Sequence, residues 1–592
     1  MPPIRLPGIT FLLLLMPVFL AGQDVVEKLT IHGILYSFPL PSVNIQIITD
    51  EEIRELGVGD LSQLFQILES VNVSRRGSLD SSFDLSMRGG NFQQTLVLVN
   101  GIPFNNPQTG HFNTDLPFSL EDIQRIEVLK GGHSVYASGA FAGAINIILK
   151  QSEKLSFTLS GGENALFRSR VAAGGLAGSI SSRISLEKRD TRGFYPGREL
   201  DALSFNAGLH YRKEASSADF FAGYQRKDFG AQGFYGPYPS REETGSGFFQ
   251  GHFQQQLVGI TLNLKTSLQW HTDHFLLDRT RPEIFQNHSY TREERVGFSM
   301  TFRPPSLRLV MGAEYRSQNM DSEAMGFHQR KIPALFANLS RQKTPRSPAL
   351  DLGGRLEFYS DRPRFSFHGG FLWPLNPHLR LRGGISHTYR YPSFTELYYQ
   401  SPVNSANPLL EPEKSLNLES ALAWVSGRHT LQFTAFHRWH RNLIDWISTA
   451  KPLFWQAVNL PQNAIWGLEF THRYQRERFA VHTILERILS PSEDLPPVSK
   501  YGLRFPDRQI RLNLRYRLAR HLFLSGRYGY KGIFHTRQRG HFLDVILEYQ
   551  LGEKWRVKLS GDNLLDTRIE EIPGVLTTGR WLYLSIHYHP PL

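Results

Sequence analysis

The chain has 592 residues, 40% hydrophobic, 20% charged and 12% aromatic, with 50 Gly, 34 Pro and 22 Tyr. That is too long for one ordinary domain, too rich in Gly and Tyr for a helical bundle and too aromatic for disorder. No Cys is present and the net charge is +12, which excludes disulfides, thiol nucleophiles, Cys-ligated zinc and iron–sulfur clusters and leaves nucleic-acid binding to be judged from where the charge sits.

Arg5 precedes the apolar run Ile9 to Leu20, and Ala21 and Gly22 follow. The run is short of the roughly 20 residues a spanning helix needs, and the pattern predicts a secretory signal over 1–22, cleaved near Gln23. Gln23 stands where a lipidated Cys would be, so no lipid anchor is expected. No other stretch reaches 18 apolar residues.

Between Gln23 and Lys150 there are 14 acidic and 8 basic residues, a net of −6. Arg5 adds one positive charge, so 151–592 carries +17 against the total of +12. Opposite charge predicts two domains. In the first, Val43 to Ile48 reads as a strand, and Thr49 with Glu52 as a capping box. Leu61 to Leu68 has helical spacing, and Leu96–Val99, Ile126–Leu129 and Ala144–Leu149 are short strands.

The second region has a period of two. Arg511, Asn513, Arg515 and Arg517 alternate with Leu512, Leu514, Tyr516 and Leu518. Leu155, Phe157 and Leu159 alternate with Ser156, Thr158 and Ser160; Trp555, Val557 and Leu559 with Arg556, Lys558 and Ser560. Leu543, Val545, Leu547 and Tyr549 lie opposite Asp544 and Glu548. Turn clusters such as Asp361-Arg362-Pro363 and Gly552-Glu553 separate the runs. A soluble sandwich buries such an apolar face, whereas a membrane barrel turns it to lipid. Charges in a row on the polar face, with no element left to cover the apolar one, predict an all-β transmembrane barrel. At about 20 residues per strand and loop it has about 22 antiparallel strands and a lumen wide enough to need a plug.

The stretches Leu85–Gly89, Leu96–Pro103, Ile123–Gly131 and Tyr136–Ile148, in that order and spacing, resemble the plug domain of TonB-dependent outer-membrane receptors. The barrel resembles that family too, in Arg390–Tyr398, Asn407-Pro408, Glu411-Pro412-Glu413, Asp562–Asp566 and Gly579-Arg580. The length is similar to the compact, cobalamin-receptor-like members. The resemblance implies a signal (1–22), a TonB-coupling segment (23–40), an N-terminal α/β plug (41–150) inside the lumen and the barrel (151–592). Two departures stand out. Lys130 replaces the usual Arg, and the tail His589-Pro590-Pro591-Leu592 follows Tyr588, where these barrels usually end on an aromatic residue.

Several site residues follow from the resemblance. Val26, Glu27, Lys28, Leu29, Thr30 and Ile31 lie at the coupling segment, where an extended β-prone peptide lets TonB add a strand. Arg88 and Lys130 match basic plug residues that pair with barrel acids, here Glu419 and Glu469. The loop from Phe104 to Asp115 faces outward in the family, so Phe104, Asn105, Asn106, Gln108, His111, Phe112 and Asn113 are expected to touch substrate. The aromatic, Gly-rich stretch Asp228 to Thr244 reads as a long extracellular loop presenting Phe234, Tyr235 and Tyr238. Asp228, Glu242 and Glu243 are candidate loop-calcium ligands without a recognised cage; no other metal or cofactor is expected.

Implied partners are TonB with its inner-membrane energy-transducing proteins, outer-membrane lipid, the barrel assembly machinery and a corrinoid or metal-chelate substrate. The chain is expected to be monomeric and to bind no nucleic acid, because the basic excess lines lumen and loops. Residues 391–406 contain no His, which weighs against haem. Compact length and plug pattern favour a corrinoid, and the +17 barrel a ferric siderophore. A nucleophile elbow, a His-Glu-x-x-His motif and a P-loop Lys-Ser/Thr are all missing, against an enzyme. A passive porin would have no plug.

Overall fold

The computed structural model describes residues 42–590 except 78, 133–138, 345, 361, 449–453, 491–498, 503, 535 and 573. The signal, the coupling residues Val26–Ile31 and residues 136–138 of the plug motif lie outside the described residues.

The first domain is a mixed sheet with two short helices. Ile45–Thr49 pairs with Ile123–Lys130, then come Gly143–Leu149, Thr95–Val99 and Ile102–Pro103. Gly143–Leu149 runs parallel to Thr95–Val99. Helix α1 (Asp50–Leu56) starts at the Thr49–Glu52 capping box and stops at Gly57, in the left-handed region at φ 68°. Helix α2 (Leu61–Gln66) is capped by Asp60, whose carboxylate accepts the Gln63 N–H at 2.7 Å. Leu64, Phe65, Val97, Val99, Ile126, Val128, Ile145 and Ile147 form its apolar centre. The motif asparagines have structural roles. Asn146 accepts the Gly101 N–H at 2.9 Å and donates to Glu127 at 2.8 Å, and Asn100 accepts the Leu149 N–H at 3.0 Å. They satisfy turn amides inside the domain.

Among the described residues, twenty-two antiparallel strands from Ser156–Gly162 to Trp581–Tyr588 close a barrel, with a small hairpin (Gln400–Ser401, Asn404–Ser405) inserted. The last strand pairs with the first, Tyr588 opposite Phe157. Burial is inverted relative to a soluble protein. On Leu200–Lys213, Leu203, Phe205 and Leu209 are exposed while Ser204, Asn206 and His210 are buried. On Ile180–Thr191, Ile184 and Leu186 face out and Arg183, Glu187 and Arg189 face in. The outside suits hydrocarbon; the inside is covered by the first domain, which fills the lumen. One rim has tight turns such as 178–179, 258–259 and 520–521, and the other bears the longer segments 231–240, 277–285 and 391–412. The long-segment rim is the extracellular one by the rule for such barrels.

The strands correct one expectation. Ser216–Gly230 and Arg241–Leu257 are strands, so the loop is 231–240 and Asp228 and Thr244 belong to the wall. Alternation continues past the membrane because strands of up to 22 residues far exceed the 9–11 that span it.

Candidate functional site

Near the extracellular end, the plug loop after Pro103 is fixed from within. The Asn105 carbonyl accepts the Val97 N–H at 2.8 Å and its amide donates to Thr95 O at 2.9 Å; Asn113 accepts the Asn106 N–H at 2.8 Å. Phe104 is buried in the plug's apolar centre, edge-on to Phe248, and Phe112 is buried and stacked on His271 at 4.2 Å. Phe104, Phe112, Asn105 and Asn113 therefore hold the loop's shape. Phe234 is likewise buried, against Leu79, Phe229 and Trp581. Tyr238 is half-buried in the 231–240 turn, where its backbone carbonyl accepts the Gly233 N–H.

His111, Tyr235, Gln108 and Asn106 remain around the apex. His111 sits in a network that no sequence pattern marks. Its Nδ1 lies 2.7 Å from Asp84 and 2.8 Å from Arg76 Nη2, and its Nε2 lies 3.3 Å from the Tyr501 hydroxyl. Arg76, fully buried, pairs with Asp84 at 2.8 Å and lies 5.7 Å from the Tyr235 ring centre. Phe92 packs on both His111 (4.0 Å) and Tyr501 (5.0 Å), and the Tyr235 hydroxyl donates to Glu242 at 3.2 Å. Burial and the Arg76 charge push His111 down to about 4, so it is neutral at pH 7. Burial opposes ionisation of Asp84, but Arg76 and His111 win and hold it at about 2. The Gln108 carbonyl is buried without a partner. The extracellular segment closes on this apex. Phe394 N–H donates to Pro107 O and Thr395 N–H to Gln108 O, both at 3.0 Å. That segment carries helix α3 (Phe394–Tyr398), capped by Ser393 and Glu396, and Arg390 binds Glu396 at 2.8 and 3.0 Å and Glu413 at 2.6 Å.

Lower down, charged contacts lock plug to wall. Arg88 donates from Nε and Nη2 to Glu469 at 2.8 and 2.7 Å and from Nη1 to Glu419. Lys130 adds its charge beside Arg88 and Glu469. Its Nζ meets Glu69 of the plug itself at 2.7 Å, and Glu69 then reaches Arg473 (2.8 Å) and His482 (3.1 Å) of the wall. Lys130, the last residue of the strand Ile123–Lys130, thus also engages the barrel through a plug carboxylate. Burial alone would raise Glu69, but Lys130, Arg473 and His482 hold it well below the usual range. Elsewhere Asp122 binds Arg170 (2.6 Å) and Arg183, Glu121 binds Arg168 (2.5 Å), and Asp115 binds Lys227 and His271 (2.9 Å).

Of the three acidic residues read as calcium candidates, Asp228 and Glu243 are cross-strand partners that share the Arg241 guanidinium, and Glu242 faces the other way. Asp228 bonds Arg241 (2.9 Å to Nε), Glu242 points into the lumen toward Tyr235, and Glu243 points outward, 3.2 Å from Arg241. In a strand, neighbours 242 and 243 face opposite sides.

A lipid-facing barrel closed by its own N-terminal domain, with charged contacts at the boundary, defines a plugged outer-membrane receptor. The chain belongs to the TonB-dependent receptor family. The model "TonB dependent receptor-like, beta-barrel" matches residues 152–564 and "TonB-dependent Receptor Plug Domain" residues 41–144. Among curated proteins it is similar to the vitamin B12 transporter BtuB of Vibrio vulnificus, 24% identical over 520 residues and 80% of each chain. It is also similar to BtuB of Photobacterium profundum, 21% identical over 77% of each. Among solved structures, the siderophore receptor PirA of Pseudomonas aeruginosa superposes with a TM-score of 0.74 at 20% identity, covering 94% of this chain and all of that one. A ferric enterobactin receptor (PfeA) mutant from the same organism in complex with enterobactin gives 0.75 at 17% identity, over 92% and 99%. These structures share the fold. The family consists of outer-membrane transporters and receptors, not enzymes.

Proposed function

We propose that the protein imports a corrinoid of the cobalamin type across the outer membrane, with energy from TonB and its inner-membrane partners. The observation that carries this is the curated kinship. The vitamin B12 transporter of Vibrio vulnificus aligns over four-fifths of both chains, plug and barrel together. The apex supports it, because a neutral imidazole, a buried amide and packed aromatics suit a large amide-rich ligand better than a bare ion. Val26 to Ile31 serves as the strand that TonB captures. The protein acts as a monomer seated in lipid, delivered by the barrel assembly machinery. A ferric siderophore is the second reading, favoured by the basic lumen.

The test is equilibrium binding of cyanocobalamin to purified detergent-solubilised protein, with and without calcium, beside a panel of ferric siderophores. Saturable cyanocobalamin binding, weakened at least tenfold by Tyr501→Ala, is the expected result. Siderophore binding without cyanocobalamin binding assigns the chain to iron uptake instead.

A further inference from the structure

Beside the apex, a crevice of about 90 Å³ separates plug residues 93–107 from the strands Gln286–Phe302, Leu307–Ser322 and His328–Gln342. Among its described lining residues are four arginines, Arg295, Arg316, Arg330 and Arg390, and one carboxylate, Glu293. Two of the arginines are committed. Arg295 binds Glu293 at 2.8 Å and Glu314 at 2.6 Å, and Arg390 binds Glu396 and Glu413. Arg316 is also partnered, with Glu357 at 3.8 Å. Arg330 is different. It is 6% exposed, no carboxylate of the described residues pairs with it, and its Nε is buried without an acceptor. Its guanidinium donates from Nη2 to Pro392 O at 2.8 Å and lies over Phe394 (4.8 Å) and Tyr359 (5.3 Å).

A clasp on the Pro392 segment accounts for the Nη2 bond and the stacked faces. It does not supply Arg330 with a counter-charge, and the crevice that Arg330 lines is open beside it. A buried cation without a counter-charge is costly in a low-dielectric site, and a bound anion removes that cost. The plug side supplies neutral donors on long, exchangeable bonds: Asn106 Nδ2 to Thr291 Oγ1 and Gln93 Nε2 to Ser393 Oγ, both 3.3 Å. A planar guanidinium fork with amides around it matches the oxygens of a phosphate or carboxylate group.

We propose that this crevice is an oxyanion subsite centred on Arg330, which takes a phosphate or carboxylate group carried by the imported molecule. The second half of that statement rests on the reading of the chain as an importer; the subsite itself does not. The test is calorimetric titration of the purified full-length protein, in a phosphate-free non-ionic detergent, with inorganic phosphate and with citrate, exchanged against chloride at constant ionic strength. One saturable site is expected, weakened at least tenfold by Arg330→Gln, less by Arg330→Lys, and unchanged by Arg226→Gln on the exposed outer face. Arg316→Gln is a second variant that leaves the Pro392 clasp intact, and it is expected to weaken binding too. Absence of phosphate and citrate binding, or equal binding in Arg330→Gln and Arg226→Gln at matched melting temperatures, overturns the subsite.

A second arm separates the sources of the anion. Phosphate is expected to raise the apparent Kd of cyanocobalamin, or of ferric enterobactin, in the wild type and not in Arg330→Gln. Binding of both together without competition overturns the assignment to the imported molecule and leaves a site for a free anion. If neither substrate binds, the importer reading fails while the phosphate arm still decides the subsite.

Discussion

Arg88 carries two carboxylates of the wall on one guanidinium, and this makes it a single point of failure. Removing one member of a buried pair costs about 3–5 kcal/mol, because the charge left behind is uncompensated. Arg88→Ala leaves Glu419 and Glu469 facing each other with no cation from residue 88 between them. Amide exchange over 68–90 of the plug is expected to rise roughly a hundredfold, with cells more sensitive to large antibiotics and Arg88→Lys in between. Unchanged exchange would mean that the plug is held elsewhere. His111 gives a pH prediction. Its folded pKa of about 4 lies below the ordinary 6.5, so folding favours the neutral ring. The resulting stability is present above pH 6.5 and is lost as pH falls toward 4. Plug melting is expected to decline across that window, and His111→Asn to flatten the decline. Asp84, held at about 2, contributes its own loss only below pH 3.8.

At the scale of elements, α2 ends against the wall. Arg511 Nη1 donates to the carbonyls of Gln66 (3.0 Å), Leu68 (2.5 Å) and Val71 (3.0 Å), and its Nη2 binds Glu486 at 2.6 Å. The Gln66 carbonyl is one that the helix end cannot satisfy itself; Leu68 and Val71 lie between the helix and the start of the strand Val71–Arg75. Arg511→Met is expected to raise exchange across 61–76 without lowering the melting of the barrel; a fall in barrel melting would place the role of Arg511 in the wall. The elements themselves are legible in sequence, because a period of two sustained over hundreds of residues marks extended strands with unlike faces and the Thr49–Glu52 box is local. What is not legible depends on contacts distant in sequence. Arg76, Asp84, Phe92 and Tyr501 meet only once plug and barrel are assembled, and no local pattern marks them. Phe104 and Phe234 read as presented aromatics because composition does not tell a loop's lining from its surface. The relay from Lys130 through Glu69 to Arg473 and His482 of the wall likewise joins residues far apart in sequence.

For the whole molecule, the charge split is a division of labour. An acidic plug sits in a basic lumen, and the proposed coupling segment precedes the plug. Leu29→Pro removes a donor from that segment and is expected to abolish energised uptake by cells while cyanocobalamin binding to purified protein stays within twofold. Loss of binding as well would place residues 26–31 in the fold of the plug and not in coupling.

The plug carboxylates Asp122, Glu121, Asp115 and Asp80 occupy Arg170, Arg183, Arg168, Lys227 and Arg189 of the wall. A barrel produced without residues 23–150 exchanges those fixed anions for mobile ones. Rings of basic side chains select for anions, so in planar bilayers the emptied barrel is expected to pass chloride in preference to potassium, with a reversal potential of matching sign. The plug is thus also the wall's counterion, and any displacement of it creates an anion-selective conduit.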